Sequence, residues 1–185
     1  MAQNISDFYT SVQKFDFARQ FQFRVGPSFA NTGIPENQLI YLETANLPGR
    51  AITNVQVPFM GLQFNVPGTA TYPGSDAWSV TFRCDQDYDI RALLENATFN
   101  TFDEAASTGD YNIARTSSVI DIALLGKSGS ASPIRRYKLI GAYVVSVGES
   151  TYNLGDSGTI QTVPATLAYQ YWQVTTTPNS PTVLR

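Results

Sequence analysis

Apolar and polar residues alternate in short runs along this chain, and turn-forming Gly, Pro and Asn close the runs. A period of two suits a pleated strand with one buried face; a helix would repeat its apolar positions every three to four residues. Arg19 to Val25 puts Phe21, Phe23 and Val25 on one face. Trp78, Val80 and Phe82 alternate with Ser79, Thr81 and Arg83, which makes Trp78 a core residue. Leu39 to Thr44 reads as a strand closed by Asn46-Leu47-Pro48-Gly49. Leu62, Phe64 and Val66 are expected to face the core and Gln63 and Asn65 the opposite side, with Pro67-Gly68 ending the strand. Ser118 to Leu125 and Tyr137 to Val147 are further strands, the second apolar enough for burial on both faces. The longest is Thr159 to Val174, with Val163, Ala165, Leu167, Tyr169 and Tyr171 on one face. Pro164 inside it calls for an edge or a bulge. The fold class is mainly β, an antiparallel sandwich or barrel.

Two segments carry the helical period. Asp7 to Phe15 places Phe8, Val12 and Phe15 on a short stripe. The only substantial helix, from Tyr88 to about Phe99, turns Ile90, Leu93, Leu94 and Ala97 inward and leaves Arg91 and Glu95 outward. Asp85, Asp87 and Asp89 precede it, acids that complement the helix dipole and one of which is expected to cap it. Leu47 to Gly61 forms a long excursion between strands, and long excursions are more often functional. Phe102 to Ser117 is a second long connection. The chain divides into an N-terminal arm with a short helix (1–15), one β domain (16–174) and a flexible C-terminal tail (175–185).

Composition removes much chemistry. The 185 residues include no histidine, so imidazole catalysis and His-ligated metals are excluded. Cys84 is the single cysteine, which rules out an internal disulfide and a thiolate zinc cage; with no base to activate it, it reads as a small core or boundary residue. Asp85-x-Asp87-x-Asp89 imitates the start of a calcium loop, but Ile90 and Asn96 stand where the turn Gly and the bidentate Glu belong. No cofactor, metal site or catalytic set is expected. Net charge is −3, from 15 acids and 12 bases, without the basic stripe of a nucleic-acid binder. Only 15% of residues are charged, a surface suited to burial between subunits. No apolar run approaches the roughly 18 residues of a membrane span. Met1 to Asp7 lacks the features of a signal peptide, so a cytoplasmic origin is expected. Trp172, beside Tyr169 and Tyr171, suits core, subunit contact or a ligand platform.

The order of segments resembles the tail tube proteins of contractile-tailed bacteriophages. Asp16-Phe17-Ala18-Arg19 opens the match. Thr44-Ala45-Asn46-Leu47-Pro48, Val57-Pro58-Phe59-Met60 and Asn65-Val66-Pro67-Gly68 follow, then Asp76 to Phe82, Asp89-Ile90-Arg91 and Thr166 to Trp172. The stretch from Phe29 to Gln38 and the tail depart from it. The resemblance implies a structural, non-enzymatic protein of the virion, assembled in the bacterial cytoplasm. Its subunits would join sheets into a hexameric ring barrel, and the rings would stack into a tube. Implied partners are further copies of the chain, the tail sheath, the baseplate and tail terminator proteins, and, in the lumen, the tape measure protein and non-adherent genomic DNA. On this basis Pro48, Arg50, Ile52, Asn54, Gln56, Pro58 and Met60 are ring-stacking candidates, Gln63 and Asn65 lumen candidates, and Arg91 and Glu95 sheath-facing candidates. The alternatives are the tube of a phage-derived contractile injection system and a glycan-binding β-sandwich.

Overall fold

A computed structural model describes residues 4–15, 17–109, 117–126, 133–155 and 158–176. Two four-stranded antiparallel sheets face each other. One has the order β1 (Phe23–Phe29), β8 (Val119–Leu124), β9 (Arg135–Ile140), β12 (Tyr171–Thr176). The other runs β2 (Leu42–Ala45), β5 (Trp78–Arg83), β11 (Thr162–Ala168), β10 (Tyr143–Val147). Among the described residues, β3 (Ala51–Phe59) and β4 (Leu62–Thr71) pair only with each other, as do the two-residue β6 (Phe102–Asp103) and β7 (Thr108–Gly109). The helices are α1 (Ile5–Phe15) and α2 (Asp89–Thr101).

Alternation builds the core as expected for β5, whose Trp78, Val80 and Phe82 are buried while Ser79 and Arg83 are exposed. Ile120, Ile122 and Leu139 come from the first sheet, and Val163, Ala165 and Leu167 from the second. Phe29 and Phe82 meet edge-to-face across the gap, with centroids 5.4 Å apart. α2 lies against β10 and contributes Ile90 and Leu94 to the core, both fully buried. Leu93 and Ala97 pack against that core from its margin.

The two longest apolar runs do not stay in one sheet. The run from Tyr137 to Val147 breaks at Gly141-Ala142 into β9 and β10, and that from Thr159 to Val174 breaks at Tyr169-Gln170 into β11 and β12. Tyr171 pairs with Ile140 and Ala168 with Tyr143. The four strands are therefore one two-stranded ribbon, bent across both sheets. Gly141 takes the bend at φ +69°, a conformation costly for any residue with a Cβ. Buried Ser118 secures the corner: its carbonyl accepts from the Gly141 and Ala142 amides, at 2.9 and 3.1 Å, and its hydroxyl donates to the Ala142 carbonyl. Period-two alternation persists through such a bend, because each half still has one inward face.

Other expectations need correction. Phe21 precedes β1 and is exposed. Leu39 to Tyr41 form a 3-10 turn before β2. Pro164 lies in an interior strand, one residue beyond the last β10 pair, Val147 with Ala165. Its carbonyl there accepts from Gly148 at 2.7 Å, so the missing N–H interrupts no ladder pair. No carboxylate caps α2; Tyr88 occupies that position in the left-handed region, φ 59°. Asn4 does cap α1, accepting from the Asp7 amide at 2.9 Å. Residues 110–116 of the second long connection, and the tail from 177, lie outside the described residues.

Candidate assembly surfaces

The Leu47–Gly61 excursion is mostly strand: β3 turns at Met60-Gly61 and returns as β4. Both turn residues have positive φ, 50° and 80°, as the tightest two-residue hairpin loop requires. Pro67-Gly68 does not end β4 but bulges it. Between the pairs Ile52–Ala70 and Asn54–Pro67, Thr53 alone stands opposite both Gly68 and Thr69. The Thr53 hydroxyl fills the bulge, accepting from the Thr69 amide at 2.9 Å and donating to the Thr69 carbonyl at 3.2 Å. A Cβ on Gly68 would sit 2.6 Å from that hydroxyl oxygen, so only Gly fits unchanged.

Cross-strand register sorts the hairpin into two faces. Val55 pairs with Val66, Val57 with Phe64 and Phe59 with Leu62, giving one continuous apolar face. Asn54 pairs with Pro67, Gln56 with Asn65 and Pro58 with Gln63, giving a polar and proline face. The alternation expected for Leu62, Phe64 and Val66 is present, but their direction is corrected: the three are 63%, 49% and 45% exposed. The hairpin belongs to neither four-stranded sheet, and among the described residues its apolar face meets no core. From Ala51 to Ser75 there is no charged residue.

Register also brings together residues assigned to different surfaces. The stacking candidates Asn54, Gln56 and Pro58 share a face with the lumen candidates Gln63 and Asn65. Met60 is at the tip and 88% exposed; Pro48 and Arg50 lie in the connection leading into β3, and Ile52 below the bulge. Sequence reasoning missed Val55, Val57 and Phe59 as surface residues. The signal was the uncharged run itself, longer than one small core needs.

Arg91 is not a free outward side chain. Its Nε donates to Glu95 at 2.7 Å, and one Nη donates to the Ser150 hydroxyl at 2.7 Å, tying α2 to the 148–150 loop. Glu95 keeps the greater exposure of the two. Near the start of α2, Cys84 is half-buried; desolvation, and then the neighbouring Asp85 charge, push its thiol pKa up, away from nucleophilic use. Where β1 and β2 form the free margins of the two sheets, an open groove of about 870 Å³ is lined by Phe21, Ile40, Tyr41, Glu36 and the Arg83–Glu43 ion pair. Among the described residues no group of acids and cysteine is placed to hold a metal ion.

The chain has clear relatives. Residues 12–175 match the family described as phage tail tube protein. The chain is 24% identical over 172 residues to the tail tube protein gp19 of Enterobacteria phage T4, spanning 91% of this chain and 99% of that protein. For the tail tube protein gp19 of phage T6 the identity is 23% over 172 residues, with the same coverage. A chain of the anti-feeding prophage tube-terminating cap superposes with a TM-score of 0.59 at 13% identity, over 90% of this chain and 99% of that one. A chain from the sheath–tube complex of the extracellular contractile injection system PVC gives 0.56 at 13% identity, over 95% and 100%. These structures share the fold.

Proposed function

The chain belongs to the phage tail tube protein family, and on that premise we propose that it builds its tube through the β3–β4 hairpin. As a tail tube protein it is a structural component of the virion. The carrying observation is the apolar hairpin face, six side chains between 44% and 63% exposed, left uncovered by the described residues of their own chain. A continuous patch of this kind is an association surface. In this reading the neighbouring copy of a hexameric ring covers it, joining open sheets into one closed barrel and removing their free edges.

The opposite face then lines the lumen. Gln63 and Asn65 stand there, and Asn54, Gln56 and Pro58 go with them. A lining without Arg or Lys avoids the phosphate contacts that hold DNA in place, so genome and tape measure protein pass without adhering. The tip at Met60 and the connection at Pro48, Arg50 and Ile52 reach the next ring. The outer side of α2, around Glu95, faces the sheath, while baseplate and terminator proteins close the two tube ends. Assembly takes place in the host cytoplasm.

Val57→Glu tests the central step. Val57 is outside the core, so the subunit should keep its circular dichroism and melting temperature while electron microscopy shows no tubes. Tubes of normal length from this variant would refute the hairpin as the joining element.

A further inference from the structure

The chain has two tryptophans, one in each sheet, and both indole N–H groups point at the same five-residue segment. Trp78 of β5 donates from Nε1 to the Asn46 carbonyl at 2.7 Å, and Trp172 of β12 donates from Nε1 to the Gly49 carbonyl at 2.8 Å. Residues 46–50 are the connection from β2 into β3, the incoming rail of the hairpin. The outgoing rail is held as well. Tyr72, the first residue after β4, packs edge-to-face on Trp172 with centroids 6.4 Å apart. Tyr137 of β9 also packs on Trp172, with centroids 5.5 Å apart, and the Arg135 guanidinium lies 5.2 Å from the Tyr137 ring. Ser75, just beyond, takes the Tyr169 amide at 2.8 Å, which ties this rail to the bend of the ribbon.

We propose that Trp78 and Trp172 are positioning residues that clamp the root of the β3–β4 hairpin and fix the direction in which it leaves the sandwich. The inference rests on the hairpin being the joining element. Indole suits the task because it donates a single hydrogen bond in one direction from a large, rigid ring. Leverage makes the clamp consequential. β4 has ten residues. At about 3.3 Å per residue that is roughly 33 Å of strand, so a swing of about 10° at the root moves the tip by about 6 Å. A tip that wanders this far misses its partner in most orientations. One held in place has already lost that freedom before two copies meet, which lowers the cost of association.

The test measures direction, not stability alone. Nitroxide labels at Met60→Cys and Asn100→Cys, in a Cys84→Ser background, report tip-to-sandwich distances by pulsed dipolar spectroscopy below tube-forming concentration. Trp172→Phe keeps a ring for stacking but removes the N–H. It should broaden the distance distribution about twofold through the added swing of the tip, and the unlabelled variant should give fewer and shorter tubes. An unchanged distribution overturns the clamp, and so does a broadened one with normal tubes. If Trp172→Phe does not fold, Tyr72→Leu loosens the other rail and gives the same readout. Normal tubes from Val57→Glu would remove the hairpin reading itself, whatever the distances show.

Discussion

Gly68→Ala should loosen the hairpin while leaving the sandwich intact. Gly68 is not in the left-handed region, so the cost is steric. The new Cβ would lie 2.6 Å from Thr53 Oγ1, 3.0 Å from the Thr53 carbonyl oxygen and 3.0 Å from Val55 Cγ2. Thr53 must rotate away, breaking its bonds to the Thr69 amide and carbonyl. At about 1 kcal/mol net for each bond this costs roughly 1–2 kcal/mol. The backbone carbonyl cannot rotate aside, and mild overpacking against it adds about 1 kcal/mol. Local opening should therefore become easier by about 2–3 kcal/mol, read as amide exchange across β3 and β4 roughly 30- to 150-fold faster. Amides of β8 and β9 should exchange at their original rate, since none of the core is touched. Thr53→Ala removes the oxygen that Gly68→Ala strikes. The two costs should thus overlap, and the double variant should fall about 1–2 kcal/mol short of their sum. Strict additivity would refute the contact-based reasoning, as would an equal acceleration in β8.

Leu94→Ala empties a fully buried site beneath α2 and should cost about 2–5 kcal/mol in thermal or denaturant unfolding. Arg91→Glu sets like charges at i and i+4 and removes the guanidinium that donates to Ser150, so a loss of about 1–2 kcal/mol should precede any effect on sheath attachment in a co-assembly assay. Gln63→Lys with Asn65→Lys, both exposed, should fold and assemble yet slow DNA ejection, most of all at low salt. The raised Cys84 pKa means the fold favours the neutral thiol. Its stabilising share is complete below the unfolded thiol's pKa and is lost as pH rises through the folded value; alkylation of the native protein at pH 8, followed by mass spectrometry, should run slower than in denaturant.

Where a residue's partner lies on its own element or the next, the sequence was readable. β5 and the inward side of α2 follow directly from period-two and helical spacing, and β8 falls within a residue of its expected ends. Direction relative to the rest of the chain was not readable. Leu62, Phe64 and Val66 alternate as any half-buried strand does, and alternation is silent on whether the burying surface belongs to the same chain. Gly141 and Gln170 interrupt apolar runs too briefly to announce a change of sheet. Pro67-Gly68 has turn chemistry, yet Thr53, remote in sequence, turns it into a bulge. The indole bonds of Trp78 and Trp172 join residues 32 and 123 positions apart, a separation no local pattern encodes.

The bent ribbon gives the sandwich unequal mechanical directions. At Gly141-Ala142 and at Tyr169-Gln170 the main chain passes from one sheet to the other on adjacent strands, and Gln170 bonds back to Ile140 at 2.9 Å. Sliding the sheets past each other would have to drag both strands through these corners and break paired backbone in each. A force along the strands is carried there by covalent bonds. On the far side, where β1 and β2 border the groove, the sheets are joined by packing and by the connection of residues 30–41, which carries no strand pairing from one sheet into the other. Resistance to sliding is accordingly concentrated at the bent corner, whereas on the groove side a single connection without strand pairing spans the gap.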